Sequence, residues 1–285
     1  MISSGSENAV VTATNVYLPS AYPSHPHASE HARRIARNGL MFLAEVGSGV
    51  HGITVDGGSD DTDYMGITVE PPQCITGLET FSQFQRHTAW DRPGGLRERS
   101  GQGDEDYVVY GLQKFARMAL AGNPSILNLL FVPDSAIHFN CLHARELLRN
   151  AHWFVSKQAA SRYLGYLHRQ RLGMTGEIGA KVKRPELVEK FGYDTKYASH
   201  ALRLGFQGAE LLSTGSITLP MPESQREMVL AIKRGEVSKE DALLQIEVVE
   251  QALQYMAQYN SLPEHPDRTA VNHWLHLTYL DRWPE

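Results

Sequence analysis

Asp61 and Asp63 stand two residues apart in Asp60-Asp61-Thr62-Asp63-Tyr64-Met65-Gly66-Ile67, a segment with the character of a strand. Side chains at i and i+2 of a strand share a face, so the two carboxylates can grip one hard cation together. Mg²⁺ prefers oxygen ligands and commonly takes one or two carboxylates plus waters and substrate phosphates. Upstream, Gly47-Ser48 follows the apolar run Leu40-Met41-Phe42-Leu43-Ala44-Glu45-Val46. Gly47 permits close backbone approach, and the Ser48 hydroxyl with nearby N–H groups can bind a β- or γ-phosphate. Either piece alone is weak, since Asp-x-Asp also ends ordinary strand turns and serves metal-dependent glycosyltransferases. A phosphate turn next to a cation-binding pair implies an enzyme acting on nucleotides.

The surrounding pattern says which elements position these residues. A basic-faced helix over 30–38 leads into 40–46, whose continuous apolar character is that of a buried strand. A turn and short helix over 47–58 precede a second strand, 63–69, which Pro71-Pro72 ends. Residues 74–103 read as irregular, with a Gly- and Arg-rich tract at 91–99 that suits a mobile loop beside the site. Val108, Val109, Leu112, Phe115, Ala116, Ala119 and Leu120 recur at helical spacing, and Gly122-Asn123-Pro124 stops that helix. Ser125 can cap a further helix over 126–131. Beyond residue 140 the pattern is helical, with candidates at 141–150, 154–172, 185–191, 195–213, 223–234 and 238–259. Residues 1–30, rich in Ser, Pro and His, read as an extended or flexible arm. The organisation expected is α+β: a mixed catalytic half over 31–140 and an all-helical half over 141–285.

Composition narrows the setting. At 285 residues, 42% hydrophobic and 21% charged, the chain has the make-up of an ordinary globular protein able to bury a sizeable core. Cys74 and Cys141 are too few for a disulfide framework or a thiolate zinc site, and reduced thiols in the cytoplasm are the expectation. The N-terminus lacks the pattern of a signal peptide, and no run of about 18 apolar residues is present to span a membrane. The net charge of −5 argues against general coating of nucleic acid. Residues 161–203 nevertheless carry nine Lys/Arg against four acids. That local excess suits either solvated helix faces or a site for triphosphate or a nucleic-acid backbone.

The stretch from Gly47-Ser48 to Asp61 and Asp63 resembles the hallmark of the DNA polymerase β-like nucleotidyltransferase superfamily. Further pieces follow in order: Tyr110-x-Leu112-x-Lys114-Phe115, Gly122-Asn123-Pro124 with Leu129-Leu130-Phe131, and Lys190-Phe191-Gly192-Tyr193-Asp194-x-Lys196-x-Ala198-Ser199-His200. Gly215-x-Ile217-x-Leu219-Pro220 and Ser261-Leu262-Pro263-Glu264-x-Pro266-Asp267 complete the set. Together they resemble the predicted nucleotidyltransferases of bacterial and phage RNA-repair operons, over roughly residues 38–272. Two positions depart from that family: Asp60 stands where a serine is usual, with one extra loop residue, and Asn128 where an acid is.

The resemblance implies a polymerase β-like core with a small mixed sheet, and Mg²⁺- or Mn²⁺-dependent transfer of NMP from an NTP such as ATP to a hydroxyl. An RNA end, of tRNA or of damaged RNA, is the implied acceptor. It also implies a third carboxylate on a later strand. Asp106 is the first candidate, because it precedes Val108-Val109 and can end a strand; Asp104 is the second. Acids at 104–106 could equally favour a helix N-terminus. Lys196, His200 and Arg203 fall at i, i+4 and i+7, one face of a helix, with Tyr193 just before. They are the expected contacts to triphosphate, base or acceptor, unless the face is simply exposed. Protein AMPylation, adenylylation of a small molecule, and a catalytically silent nucleotide-binding module are the competing readings. Oligomeric state is left open.

Overall fold

The computed structural model describes residues 16–55, 61–176 and 184–283. Five strands are present among them: β1 (Leu40–Val46), β2 (Thr62–Thr68), β3 (Gln83–His87), β4 (Glu105–Gly111) and β5 (Ile137–Asn140). Through the first half run helices α1 (Glu30–Asn38), α2 (Gly47–His51), α3 (Pro72–Ile75), α4 (Leu112–Leu120) and α5 (Pro124–Leu129). The second half is α6 (Leu142–Arg149), α7 (Gln158–Thr175), α8 (Pro185–Phe191), α9 (Thr195–Thr214), α10 (Glu223–Arg234), α11 (Lys239–Gln258) and α12 (Arg268–Arg282). The fold is α+β with a helical C-terminal region, as the sequence implies.

The sheet order is β3-β4-β2-β1-β5, with β2 and β4 parallel and the other pairs antiparallel. β1 is buried on both faces over Leu40–Ala44, which is why it lacks polar alternation. On one face α1, capped by the Ser29 hydroxyl, buries Ala32, Ile35 and Ala36 and leaves Arg34 and Arg37 exposed. On the other face lies the larger core, which runs without a break from Met41 and Phe42 to helical residues such as Leu202, Leu253 and Trp274. The two halves therefore share one core.

Helix α9 is the centre of the helical half and packs against α7, α10 and α11. It is buried along much of its length, from Ala198 through Leu202 to Leu212. Close approach at Gly205 and Gly208 makes this packing possible. A Cβ there would lie 2.3 Å from Val249 and 2.8 Å from Tyr163. The end of the chain returns to the sheet. Tyr279 donates to Glu70 Oε2 at 2.7 Å, the Trp283 indole donates to the Glu70 carbonyl at 2.8 Å, and Leu112 N–H donates to Glu70 Oε2 at 3.0 Å.

Several sequence expectations need correction. The span 74–103 is not all irregular: β3 runs through it as an edge strand, anchored by buried Phe84 and Arg86. The apolar periodicity from Val108 does not mark one helix, because β4 continues to Gly111 and α4 starts only at Leu112. The strand β5 and the helix α12 also escape the apolar pattern. The described part of the N-terminal arm, 16–29, is packed: Leu18 is buried, and Arg33 donates to the Leu18 and Pro19 carbonyls while Arg86 donates to that of Ser20. The departure at Ser59-Asp60, and Lys181 and Lys183 of the basic segment, lie outside the described residues.

Candidate active site

Strand register brings the acids together. In the parallel pair of β2 and β4, Asp63 is level with Asp106, so the two side chains rise from one face at one end of the sheet. Asp61, two residues before Asp63, shares that face. Among the described residues, the three offer carboxylate oxygens that all lie within 4.8 Å of one another. Asp106 thus joins the pair. Asp104 does not: Arg92 holds it, with Gly101 N–H at 2.9 Å and the Thr88 hydroxyl at 3.3 Å, and it anchors the 91–104 loop.

Three carboxylates this close raise one another's proton affinity. Burial, then the charges of Asp61 and Asp106, push Asp63 up to about 7. Burial and the Asp106 charge also raise Asp61. For Asp106 burial pulls upward but is outweighed. His87 Nδ1 lies 2.6 Å from its Oδ2, the Ser100 hydroxyl donates to its Oδ1 at 2.5 Å, and the carboxyl is held below the usual range. An all-oxygen donor set with mutual repulsion and one carboxylate held ionised fits a divalent cation such as Mg²⁺ or Mn²⁺.

Gly47 is required where it stands. It opens α2 at φ +76°, and a Cβ there would fall 2.1 Å from Asp63 Oδ2. The antiparallel pairing of Val46 with Asp63 sets this approach. Ser48 follows, and both residues line a cavity of about 260 Å³ with Asp61 and Asp63 on one side. Lys196, Ser199, His200, Arg203 and Lys233 form the other side. The helical stripe 196/200/203 therefore does face the carboxylates. Burial, then the charges of Arg203, Lys196, Arg184 and Lys233, hold His200 well below its usual range, so it is neutral among cations. Arg203, pushed down to about 10 by burial, remains charged at neutral pH.

Tyr193 is placed elsewhere. It is buried, and its hydroxyl donates to the Val237 carbonyl at 2.9 Å, so it packs α9 rather than lining the cavity. Its neighbour Asp194 caps α9 and takes Arg184 at 2.9 Å.

Other site residues carry no readable signal in the sequence. His51, buried at the end of α2, lies 2.9 Å from Arg203 Nη1 through Nε2 and 3.2 Å from Gln207 Nε2 through Nδ1. Arg203 also donates to Gln207 Oε1 at 3.0 Å, which fixes the guanidinium. Lys233, from α10, donates to the Ile53 carbonyl at 2.9 Å and ties the helical half to the loop after α2. His87 and Ser100, the partners of Asp106, come from β3 and the loop that reads as irregular.

A family model described as RNA repair pathway DNA polymerase beta family matches residues 25–277. The chain belongs to this family. Membership makes it a polymerase β-like nucleotidyltransferase by family. The matched span reaches from before α1 into α12, so both the carboxylates and the cationic helix lie within it. Among solved structures, a nucleotidyltransferase-like protein from Exiguobacterium sibiricum is similar at 14% identity and a TM-score of 0.28, covering 80% of this chain and 72% of that one. A comparison with curated proteins finds no match. No helix among the described residues is long and apolar enough to cross a membrane.

Proposed function

We propose that the protein transfers NMP from an NTP to a hydroxyl at an RNA end, with release of pyrophosphate. The observation that carries this reading is the facing of two opposite charges across one cavity. Asp61 and Asp63 line it and, with Asp106 beside them, offer oxygens to Mg²⁺ or Mn²⁺, while Lys196, Arg203 and Lys233 opposite offer charge to the triphosphate. When bound, the divalent cations supply charge neutralisation at the α-phosphate and lower the barrier to attack and departure. The new bond joins the acceptor oxygen to the α-phosphorus, the bond from that phosphorus to the oxygen bridging to the β-phosphorus breaks, and the hydroxyl proton is released to water.

The chain's own groups then have distinct tasks. Ser48 and the cations of α9 and α10 hold the leaving pyrophosphate, while Gly47 leaves room for Asp63 beneath it. Asp106, kept ionised by His87 and Ser100, is the carboxylate on the acceptor side of the pair. The first half, 31–140, supplies the acids and the second, 141–285, the bases. The family's description, an RNA repair pathway, supports an RNA acceptor. The free thiols of Cys74 and Cys141 suit a reducing cytoplasmic setting.

Incubation with each α-labelled NTP, an RNA pool and Mg²⁺ or Mn²⁺ tests the reading. Label on RNA is the expected result. Label on protein would mean AMPylation, and bound NTP with no transfer would mean a silent binding module; either would overturn it.

A further inference from the structure

A second cavity, of about 190 Å³, opens on the other side of Gly47 and Asp63. It meets the triphosphate cavity at Gly47, His51, Asp63 and Arg203. Val46, Val50, Met65, Val132 and Leu219 give it an apolar side. Ser125 and Asn128, one turn apart on α5, are its polar lining on that helix.

Asn128 is the unusual member. It is only 7% exposed, and its Oδ1 is buried without a hydrogen-bond partner. Arg203 Nε, where the two cavities meet, is likewise buried and unpartnered. A buried amide oxygen left unpaired is costly, and a ligand that donates to it recovers that cost. Asn128 therefore brings to the wall of this cleft, next to Asp63, an amide whose oxygen has no partner within the protein.

The carboxylates decide which part of a substrate fits. This cavity touches Asp63 but neither Asp61 nor Asp106, so it lies away from the acceptor side. The triphosphate belongs with the lysines in the other cavity. What remains beside an α-phosphate at Asp63 is the nucleoside, and the apolar side of the cavity suits its flat ring. We propose that this cavity receives the base of the nucleotide, with Asn128 accepting a hydrogen bond from an exocyclic amino group. Adenine or cytosine would then be taken over hypoxanthine or uracil, which carry an oxo group in that place. This inference rests on the nucleotidyltransferase reading above.

The test measures the affinities of ATP, ITP, CTP, UTP and tripolyphosphate by calorimetry, with Ca²⁺ in place of Mg²⁺ to suppress turnover. In the wild type, at least one amino-bearing nucleotide should bind about tenfold or more tighter than its oxo partner. Asn128→Leu should bring that ratio within about twofold and leave tripolyphosphate unchanged. The wild-type ratios need no variant. Ser125→Phe, which crowds the exposed rim of the cleft, is a further arm that should weaken NTPs but not tripolyphosphate. Binding of all four nucleotides with equal affinity, or a ratio that survives in folded Asn128→Leu, would overturn the base assignment and leave the transferase reading standing. Failure of every NTP and of tripolyphosphate to bind would overturn both.

Discussion

The two sides of the active-site cavity are built by opposite means. On the sheet side, like charges are forced together by backbone register: parallel β2 and β4 set Asp63 level with Asp106, and Gly47, lacking a Cβ, leaves room for the Asp63 carboxylate. On the helix side, Lys196, His200 and Arg203 are spread along about two turns of α9, and hydrogen bonds to His51 and Gln207 hold Arg203 in place. Each side is costly alone. The sheet side stores repulsion that a cation relieves, and the helix side stores buried positive charge that an anion relieves. A metal–triphosphate complex carries both charges, which is the physical reason to read the two sides as one site.

The largest break in this comparison is Asp63→Asn. Transfer should fall by about a thousandfold or more, because the shared ligand is lost. The metal-free variant should nevertheless melt higher than wild type, since one of three crowded charges has gone. A rise in stability with loss of activity, read by thermal denaturation and a transfer assay, separates a strained functional site from a structural one.

Next in size is the helix side. Lys196→Ala with Lys233→Ala should weaken NTP by roughly 10–100-fold, the loss of one or two charge-assisted contacts. Mn²⁺ binding to the carboxylates, followed by paramagnetic resonance, should stay within about twofold. Equal losses of both would mean that the two sides do not act as separate parts.

His87→Ala probes the support of one acid. A group that orients a ligand through a hydrogen bond commonly costs about 10–100-fold when removed. The expected effect is a fall in kcat with little change in the KM for NTP, as Asp106 lies away from the triphosphate.

The smallest effects should appear in pH, and with opposite signs on the two sides. Asp63 has a folded value raised to about 7, above its unfolded range. Folding therefore takes up a proton, and the stability this contributes is lost as pH rises through about 7. Metal-free protein should be less stable at pH 8 than its Asp63→Asn variant, and Mg²⁺ should raise Tm more at pH 8 than at pH 6. His51 and His200 are both lowered, chiefly by burial, so their stability is present above about 6.5 and lost below it. His200→Gln should soften the acid-side loss and leave the alkaline side untouched.

The same contrast explains what could be read in the sequence. Asp61, Asp63 and Gly47-Ser48 sit on local spacings, and the α9 stripe follows helical periodicity, so both were legible. Asp106 needed the family resemblance, because only the pairing of β2 with β4 brings it level with Asp63. β3 stayed hidden because its sequence, Gln83-Phe84-Gln85-Arg86-His87, buries an arginine against backbone carbonyls instead of an apolar residue. The end of β4 reads as helix because Val108, Val109 and Leu112 keep helical phase across the Gly111 junction. Tyr193 looked like a ligand contact because it neighbours the stripe, whereas its place in the core depends on Val237, far along the chain. His51, Lys233 and His87 join the site through contacts between distant segments, for which local spacing carries no signal.

The fate of the two ends of the triphosphate tests the central claim most directly. Parallel reactions with α-labelled and γ-labelled NTP, each with and without EDTA, follow them separately. The account predicts α-label in the acceptor, γ-label only in pyrophosphate, and no transfer once the divalent cation is chelated. γ-Label in the acceptor, or transfer that persists in EDTA, would contradict it.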